Sequence, residues 1–235
     1  MINAVGLQNP GIDVFIERDI PFLQKFNTKV IVNICGNTVN DYIKVVERLS
    51  EQAIDMLEIN ISCPNVEHGG IAFGQEPKMV EYITKEIKKV TNQPISMKLT
   101  PNVTDITEIA KAAECSGADA LSLINTITGM RINVKKRDFS VANKTGGLSG
   151  AAIKPIALRM VYQVYKVVQI PIIGMGGVST TDDALEFIMA GATGVAIGTA
   201  NFNNPYVMLE VIKGLNNYMG ENSIEDLKEI RGIVD

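Results

Sequence analysis

Apolar and polar positions alternate along this chain in blocks of two kinds. Short runs rich in β-branched residues predict strands at Val30–Ile34, Met56–Asn60, Ile95–Leu99, Ala120–Ile124, Ile170–Gly174 and Gly194–Ile197. Between and after them, apolar residues recur at helical spacing over Asn40–Ser50, Pro77–Val90, Asp105–Cys115, Ile153–Val168, Thr180–Met189 and Tyr206–Met219. The segments "TVND", "NVTD" and "STTDD" place Ser, Thr, Asn and Asp at helix starts, where their side chains accept unpaired amides. The glycines of "SGAD" and "AGAT" stand where a helix ends in a left-handed cap. Runs such as "VIVNI" and "IPIIGM" are apolar on nearly every residue, as expected of parallel strands buried on both faces.

Strand and helix therefore alternate six times, which predicts an α/β fold. A doubly wound sheet fits that alternation, and an incomplete (β/α)8 barrel fits it better, with about six βα units present and the first two strands missing. The first 29 residues offer a turn-rich opening and one plausible helix, with no clear strand. At roughly 30 residues per unit, about 60 residues of a closed barrel are unaccounted for. Residues 1–235 are thus expected to form a single α/β barrel domain, truncated at its N-terminus. On its own, such a chain is expected to have unpaired sheet edges, to fold poorly and to bind a cofactor weakly or not at all.

Composition narrows the function classes. The 235 residues are 46% hydrophobic and 20% charged, with a net charge of −4 and no concentration of Lys and Arg, which argues against nucleic acid as a partner. The longest apolar runs fall well short of the ~20 residues that span a bilayer, and no signal peptide is legible at Met1. Three dispersed cysteines, Cys35, Cys63 and Cys115, argue against a disulfide framework and for a reducing, cytoplasmic setting. One histidine, His68, and no CxxC or HExxH spacing leave a structural zinc site without ligands.

The chemistry gathers at the strand ends. "PIIGMGGVSTTDDA" puts Gly174, Gly176 and Gly177 between a strand and a helix, where backbone amides can turn toward an anion. The next strand ends in "AIGTANF", with Gly198 and Thr199 in the equivalent place. Two adjacent strand ends late in the chain, both offering glycine amides, match the phosphate site of many barrels. The other ends carry Asn33, Asn60, Lys98, Asn125 and Thr126, and almost no carboxylate or histidine. That speaks against a sugar-phosphate isomerase or lyase. Lys98 is flanked by apolar Met97 and Leu99, which favours a functional over a surface lysine. Cys63, in "SCPN" after the second strand, is the group best suited to move a proton. Cys35 and Cys115 read as small buried hydrophobes.

Taken together, "INAVGLQNPG", "NISCPNVEHGG", "KLTPNVTDI", "INTITGMR", "TGGLSG", "IGMGGV" and "IGTANF" closely resemble dihydroorotate dehydrogenase of class 1, B type. The resemblance implies an eight-stranded barrel that holds FMN at its strand ends and oxidises dihydroorotate to orotate in pyrimidine synthesis. By motif, Cys63 would be the base that takes a proton from carbon 5, and a hydride from carbon 6 would pass to the flavin. Asn3, Gly6, Leu7, Asn60, Asn65, Asn125 and Thr126 would meet the substrate. Asn33, Asn60, Lys98, Ile124 and Gly150 would contact FMN, with Gly176, Gly177, Gly198 and Thr199 around its phosphate. Cysteine in place of serine resembles the soluble class rather than the membrane-bound one. The B type further implies a homodimer joined by an electron-transfer subunit into a heterotetramer, which reduces NAD. Its FAD and 2Fe-2S cluster would lie on that partner, because three dispersed cysteines cannot supply four cluster ligands. The rival readings are a dihydropyrimidine dehydrogenase-like flavoprotein and an inactive truncated barrel.

Overall fold

A computed structural model describes residues 1–62 and 73–234. The strands are β1 (Ile2–Asn3), β2 (Ile31–Ile34), β3 (Met56–Asn60), β4 (Ile95–Lys98), β5 (Ala120–Leu123), β6 (Ile127–Met130), β7 (Ile132–Asn133), β8 (Asp138–Phe139), β9 (Thr145–Leu148), β10 (Ile172–Met175) and β11 (Gly194–Ala196). The α-helices are α1 (Ile12–Val14), α2 (Ile20–Leu23), α3 (Val39–Leu49), α4 (Pro77–Val90), α5 (Ile106–Cys115), α6 (Lys154–Tyr165), α7 (Thr181–Met189) and α8 (Val207–Glu221). A π-helical turn, Phe15–Asp19, joins α1 to α2. All six expected strands and all six expected helices are present, most within two residues of the expected bounds. No helix among the described residues is long and apolar enough to cross a membrane.

The chain divides into two compact units, one of residues 5–99 and 108–121, the other of residues 1–4, 100–107 and 122–235. In the first, β3 runs parallel to both β2 and β4, with Asn33 opposite Glu58 and Asn60 opposite Lys98. Tyr42 and Phe73 meet edge to face, with ring centroids 5.6 Å apart, and both are fully buried with Val46, Leu57, Ile59 and Ile83. The Thr38 hydroxyl accepts the Asp41 amide while Asp41 reaches back, a capping box that starts α3 where "TVND" predicts it. Gly117, after α5, is left-handed at φ 99°.

β2 corrects one expectation. Its Val32 and Ile34 are buried but Ile31 is 46% exposed, so "VIVNI" is not covered on both faces. Among the described residues the strand lies at the edge of its sheet, bonded to β3 alone. Cys115 is exposed and Cys35 half-buried, so neither is the buried hydrophobe expected. Cys115 closes α5 just before the Gly117 cap, where the chain leaves the packed face.

In the second unit β10 and β11 are parallel, and Ile124 beyond β5 donates its amide to Met175 O at 3.0 Å. A side chain on Gly174 would stand 2.6 Å from the Phe187 ring, so the glycine is what lets α7 approach β10. Among the described residues β11 pairs with β10 alone, and α8 leaves Met208, Leu209 and Ile212 exposed. The expected unpaired edges and exposed apolar surface are therefore present. Unforeseen in the sequence is a small antiparallel sheet in which β9 lies between β1 and β6, pairing Leu148 with both Ile2 and Ile127. A two-residue hairpin, β7 with β8, follows β6.

Candidate active site

Register in the first unit assembles a polar cluster. Glu58, Asn60 and Lys98 come from adjacent strands, and Glu58 and Asn60 share one face because side chains alternate along β3. Lys98 Nζ lies 3.2 Å from Glu58 Oε2, and Asn33 Nδ2 donates to the same oxygen. Glu58 and Asn60 are 8% and 7% exposed. The Asn60 side chain accepts the Ser62 amide, and its carbonyl accepts the Tyr42 hydroxyl at 2.6 Å, which fixes the strand where it ends. Sequence reasoning placed Asn33, Asn60 and Lys98 here and missed Glu58. Its alternation with Asn60 was the available signal, and the statement that the strand ends carry almost no carboxylate is corrected by this buried one. Cys63 and Asn65 lie outside the described residues. Gly6 and Leu7 are exposed on the opening turn, with φ of 78° and 59°.

The second unit builds two further groups. After β5, the Asn125 side chain accepts the Thr126 amide at 2.7 Å. Asn102, from the "LTPN" turn, donates to Thr126 O at 3.1 Å and accepts the Thr128 amide at 2.9 Å. Asn102 therefore clamps the segment that carries Asn125 and Thr126, a role that spacing alone did not reveal. Gly147 must be bare, because a Cβ there would run into the Thr126 hydroxyl. Asn3 lies in β1 opposite Gly147, the residue whose Cβ would meet Thr126.

The third group is a cavity of about 280 Å³ lined by Gly150, Gly177, Ser179, Gly198 and Thr199, among others. Both glycine turns foreseen in the sequence thus open on one space. Gly150, Gly176 and Gly177 have φ of 92°, 128° and 83°, which favour glycine. A Cβ on Gly177 would lie 2.9 Å from Gly150 O and 3.0 Å from Lys154 N, so a side chain would crowd the cradle. A Cβ on Gly176 would instead press on Ala157, Ile124 and Ile153. Ile124 is 3% exposed and supports that turn. Thr199 Oγ1 donates to Ser149 Oγ at 2.9 Å, tying the last strand end to the segment after β9.

Asp183 holds the cradle from below. Its Oδ2 accepts the Ser179 amide and hydroxyl and the Thr180 amide at 2.8–2.9 Å, and its Oδ1 accepts Lys154 Nζ at 2.6 Å. Burial pushes this carboxyl up, but the bonds from Lys154, Ser179 and Thr180 outweigh it and bring it down to about 2. A folded value below the ordinary 3.8 means that the carboxylate stabilises the fold above that value and loses its contribution as pH falls toward 2. The contribution is about 2 kcal/mol, about half of it gone at pH 3. Asp183→Asn is expected to remove that part of the acid sensitivity. Urea unfolding at pH 6 and pH 3 checks it: the gap in stability between the two pH values should shrink by about 1 kcal/mol in the variant.

The family model described as dihydroorotate dehydrogenase matches residues 1–219. The protein named dihydroorotate dehydrogenase B (NAD(+)), catalytic subunit, of Lachnoclostridium phytofermentans is 64% identical over 234 residues, which are 100% of this chain and 78% of that protein. The proteins of the same name from Alkaliphilus metalliredigens and Alkaliphilus oremlandii are 62% and 60% identical, each over 99% of this chain and 77% of their own length. A crystal structure of dihydroorotate dehydrogenase from Eimeria tenella, in complex with ferulenol, superposes with a TM-score of 0.79 at 26% identity, over 99% of this chain and 70% of that one. The fold is accordingly an incomplete (β/α)8-type barrel. With the family model matching residues 1–219 and relatives 60–64% identical over nearly the whole chain, the chain belongs to the dihydroorotate dehydrogenase family.

Proposed function

We propose that this chain is the catalytic subunit of an NAD-linked dihydroorotate dehydrogenase, which uses FMN to oxidise dihydroorotate to orotate and works with a separate FAD and iron–sulfur subunit. The observation that carries the reading is the glycine cradle. Gly177 cannot bear a side chain without meeting Gly150 O and Lys154 N, and the adjoining cavity is open to backbone groups of two successive strand ends. Glycine turns at two adjacent strand ends around one cavity are the setting in which backbone amides bind a phosphate monoester, and this suits the FMN phosphate. Gly150, Gly177, Gly198 and Thr199 would hold that group, with Gly176 shaping the turn and Asn33, Lys98 and Ile124 toward the ring. When bound, FMN supplies the acceptor for the hydride that leaves carbon 6 of dihydroorotate.

The chain's own residues do the rest. Cys63 takes the proton from carbon 5, which is acidic because it neighbours a carbonyl. A thiol titrates near 8.5 in its ordinary state, far closer to neutrality than a hydroxyl does, and so suits the base. Asn60, Asn65, Asn125 and Thr126, with Asn3, Gly6 and Leu7, hold the pyrimidine and its carboxylate by neutral donors and acceptors. Asn102 keeps Thr126 in place through its carbonyl.

The test is ligand choice. Orotate is expected to perturb the flavin absorbance of the FMN-loaded protein and to protect it from proteolysis, and uracil is expected to do neither, because it lacks the carboxylate. Protection by uracil and not by orotate would favour a dihydropyrimidine dehydrogenase instead. FMN-loaded protein whose flavin responds to neither orotate nor uracil would remove the reading altogether.

A further inference from the structure

Glu58 is a buried ionisable group to which the reaction above gives no task. It is 8% exposed, and both of its described partners, Lys98 Nζ at 3.2 Å and Asn33 Nδ2, converge on one carboxylate oxygen. They come from the strands on either side of β3. A purely structural role is a weak reason for such a pair. Taking two charges out of water costs about as much as their attraction returns, and apolar replacements are often neutral or stabilising.

We propose that Glu58 is a positioning residue that sets the reduction potential of the bound flavin, by holding Lys98 in place and offsetting its charge. The inference rests on the reading of Lys98 as a residue that faces the flavin. An isolated ammonium beside the ring would favour the reduced state, which gains electron density. A carboxylate 3.2 Å from that ammonium turns a full positive charge into a dipole, whose field falls off faster with distance. The side chains of Lys98 and Glu58 are 19% and 11% exposed, so solvent screens the pair little. Asn33 fixes which carboxylate oxygen turns toward Lys98.

The experiment is a redox titration of FMN-loaded protein, unaltered and as the E58Q, E58D and K98Q variants, followed by flavin absorbance. E58Q is expected to bind reduced FMN about tenfold more tightly relative to oxidised FMN, a rise of about 30 mV for this two-electron couple. E58D, which withdraws the carboxylate by one methylene, is expected to shift the potential in the same direction by less. K98Q is expected to lower it. Unchanged potentials in E58Q and E58D, with K98Q lowered, overturn the inference and leave the site reading standing. If E58Q does not fold, E58D decides alone: a rise supports the proposal, and no change or a fall overturns it. An unchanged potential in K98Q shows that Lys98 does not face the ring, and the inference falls with that reading.

Discussion

Cys63→Ser is expected to slow oxidation of dihydroorotate by roughly 10²-fold or more while FMN stays bound. The thiol and the hydroxyl are close in size, so the substitution changes acidity more than shape. At neutral pH a cysteine of ordinary acidity is ionised to a few per cent, whereas a serine hydroxyl is essentially never ionised. The base is needed only while the carbon 5 proton is leaving, so the loss should fall on the rate of flavin bleaching by dihydroorotate and spare the affinity for orotate. Anaerobic stopped-flow bleaching, with an orotate titration beside it, separates the two. The pH profile is a second readout. In the unaltered protein the bleaching rate should climb as pH rises through the thiol's titration, and that limb should be missing from the serine variant. A bleaching rate unchanged by the substitution would refute Cys63 as the base.

Gly177→Ala should have the next largest effect, on cofactor retention. The position has φ 83°, where an L-residue is strained by about 1–2 kcal/mol. Its new Cβ would also press on backbone atoms, Gly150 O at 2.9 Å and Lys154 N at 3.0 Å, which cannot swing aside as a side chain can. Relief requires the turn to move away from Gly150, and that deforms the wall of the cavity. We expect FMN affinity to fall by at least 10-fold, measured by fluorescence recovery on dilution, with a modest loss of thermal stability. Gly198 is the control, because a Cβ there meets nothing within 4 Å and its φ is negative. Gly198→Ala should therefore weaken FMN less than Gly177→Ala does. Equal losses at the two positions would mean that crowding of the Gly177 turn is not what matters.

Much of the fold was legible because its determinants are local. α4 begins at Pro77 and ends after Lys88 and Lys89, with a proline in its first turn and basic residues in its last, and its bounds match the expected ones. The Thr38 and Thr180 capping boxes and the left-handed Gly117 and Gly191 stand where short motifs put them. The sheet of β1, β9 and β6 was not legible. β1 has two residues, its partner lies about 145 positions away, and "TGGL" has the composition of a turn. The exposure of Ile31 and of Cys115 was equally hidden, since it depends on what packs against each position rather than on the residue itself.

The candidate site divides along the same line. The glycines that shape the cradle were visible in the sequence because a strand–turn–helix junction leaves its mark within a few residues, and the Asn, Thr and Lys side chains were visible because each stands at or near a strand end. By itself, then, the sequence determined the six βα units, their caps and the chemical types at the strand ends. Only the tertiary structure decided which of those groups meet. Glu58 reaches Lys98 across 40 residues, Asn102 reaches Thr126 across 24, and Lys154 reaches Asp183 across 29. Hydrogen bonds and ion pairs act over a few ångströms, so their partners are fixed by strand register and helix packing, and neither is written into the local pattern of apolar and polar residues.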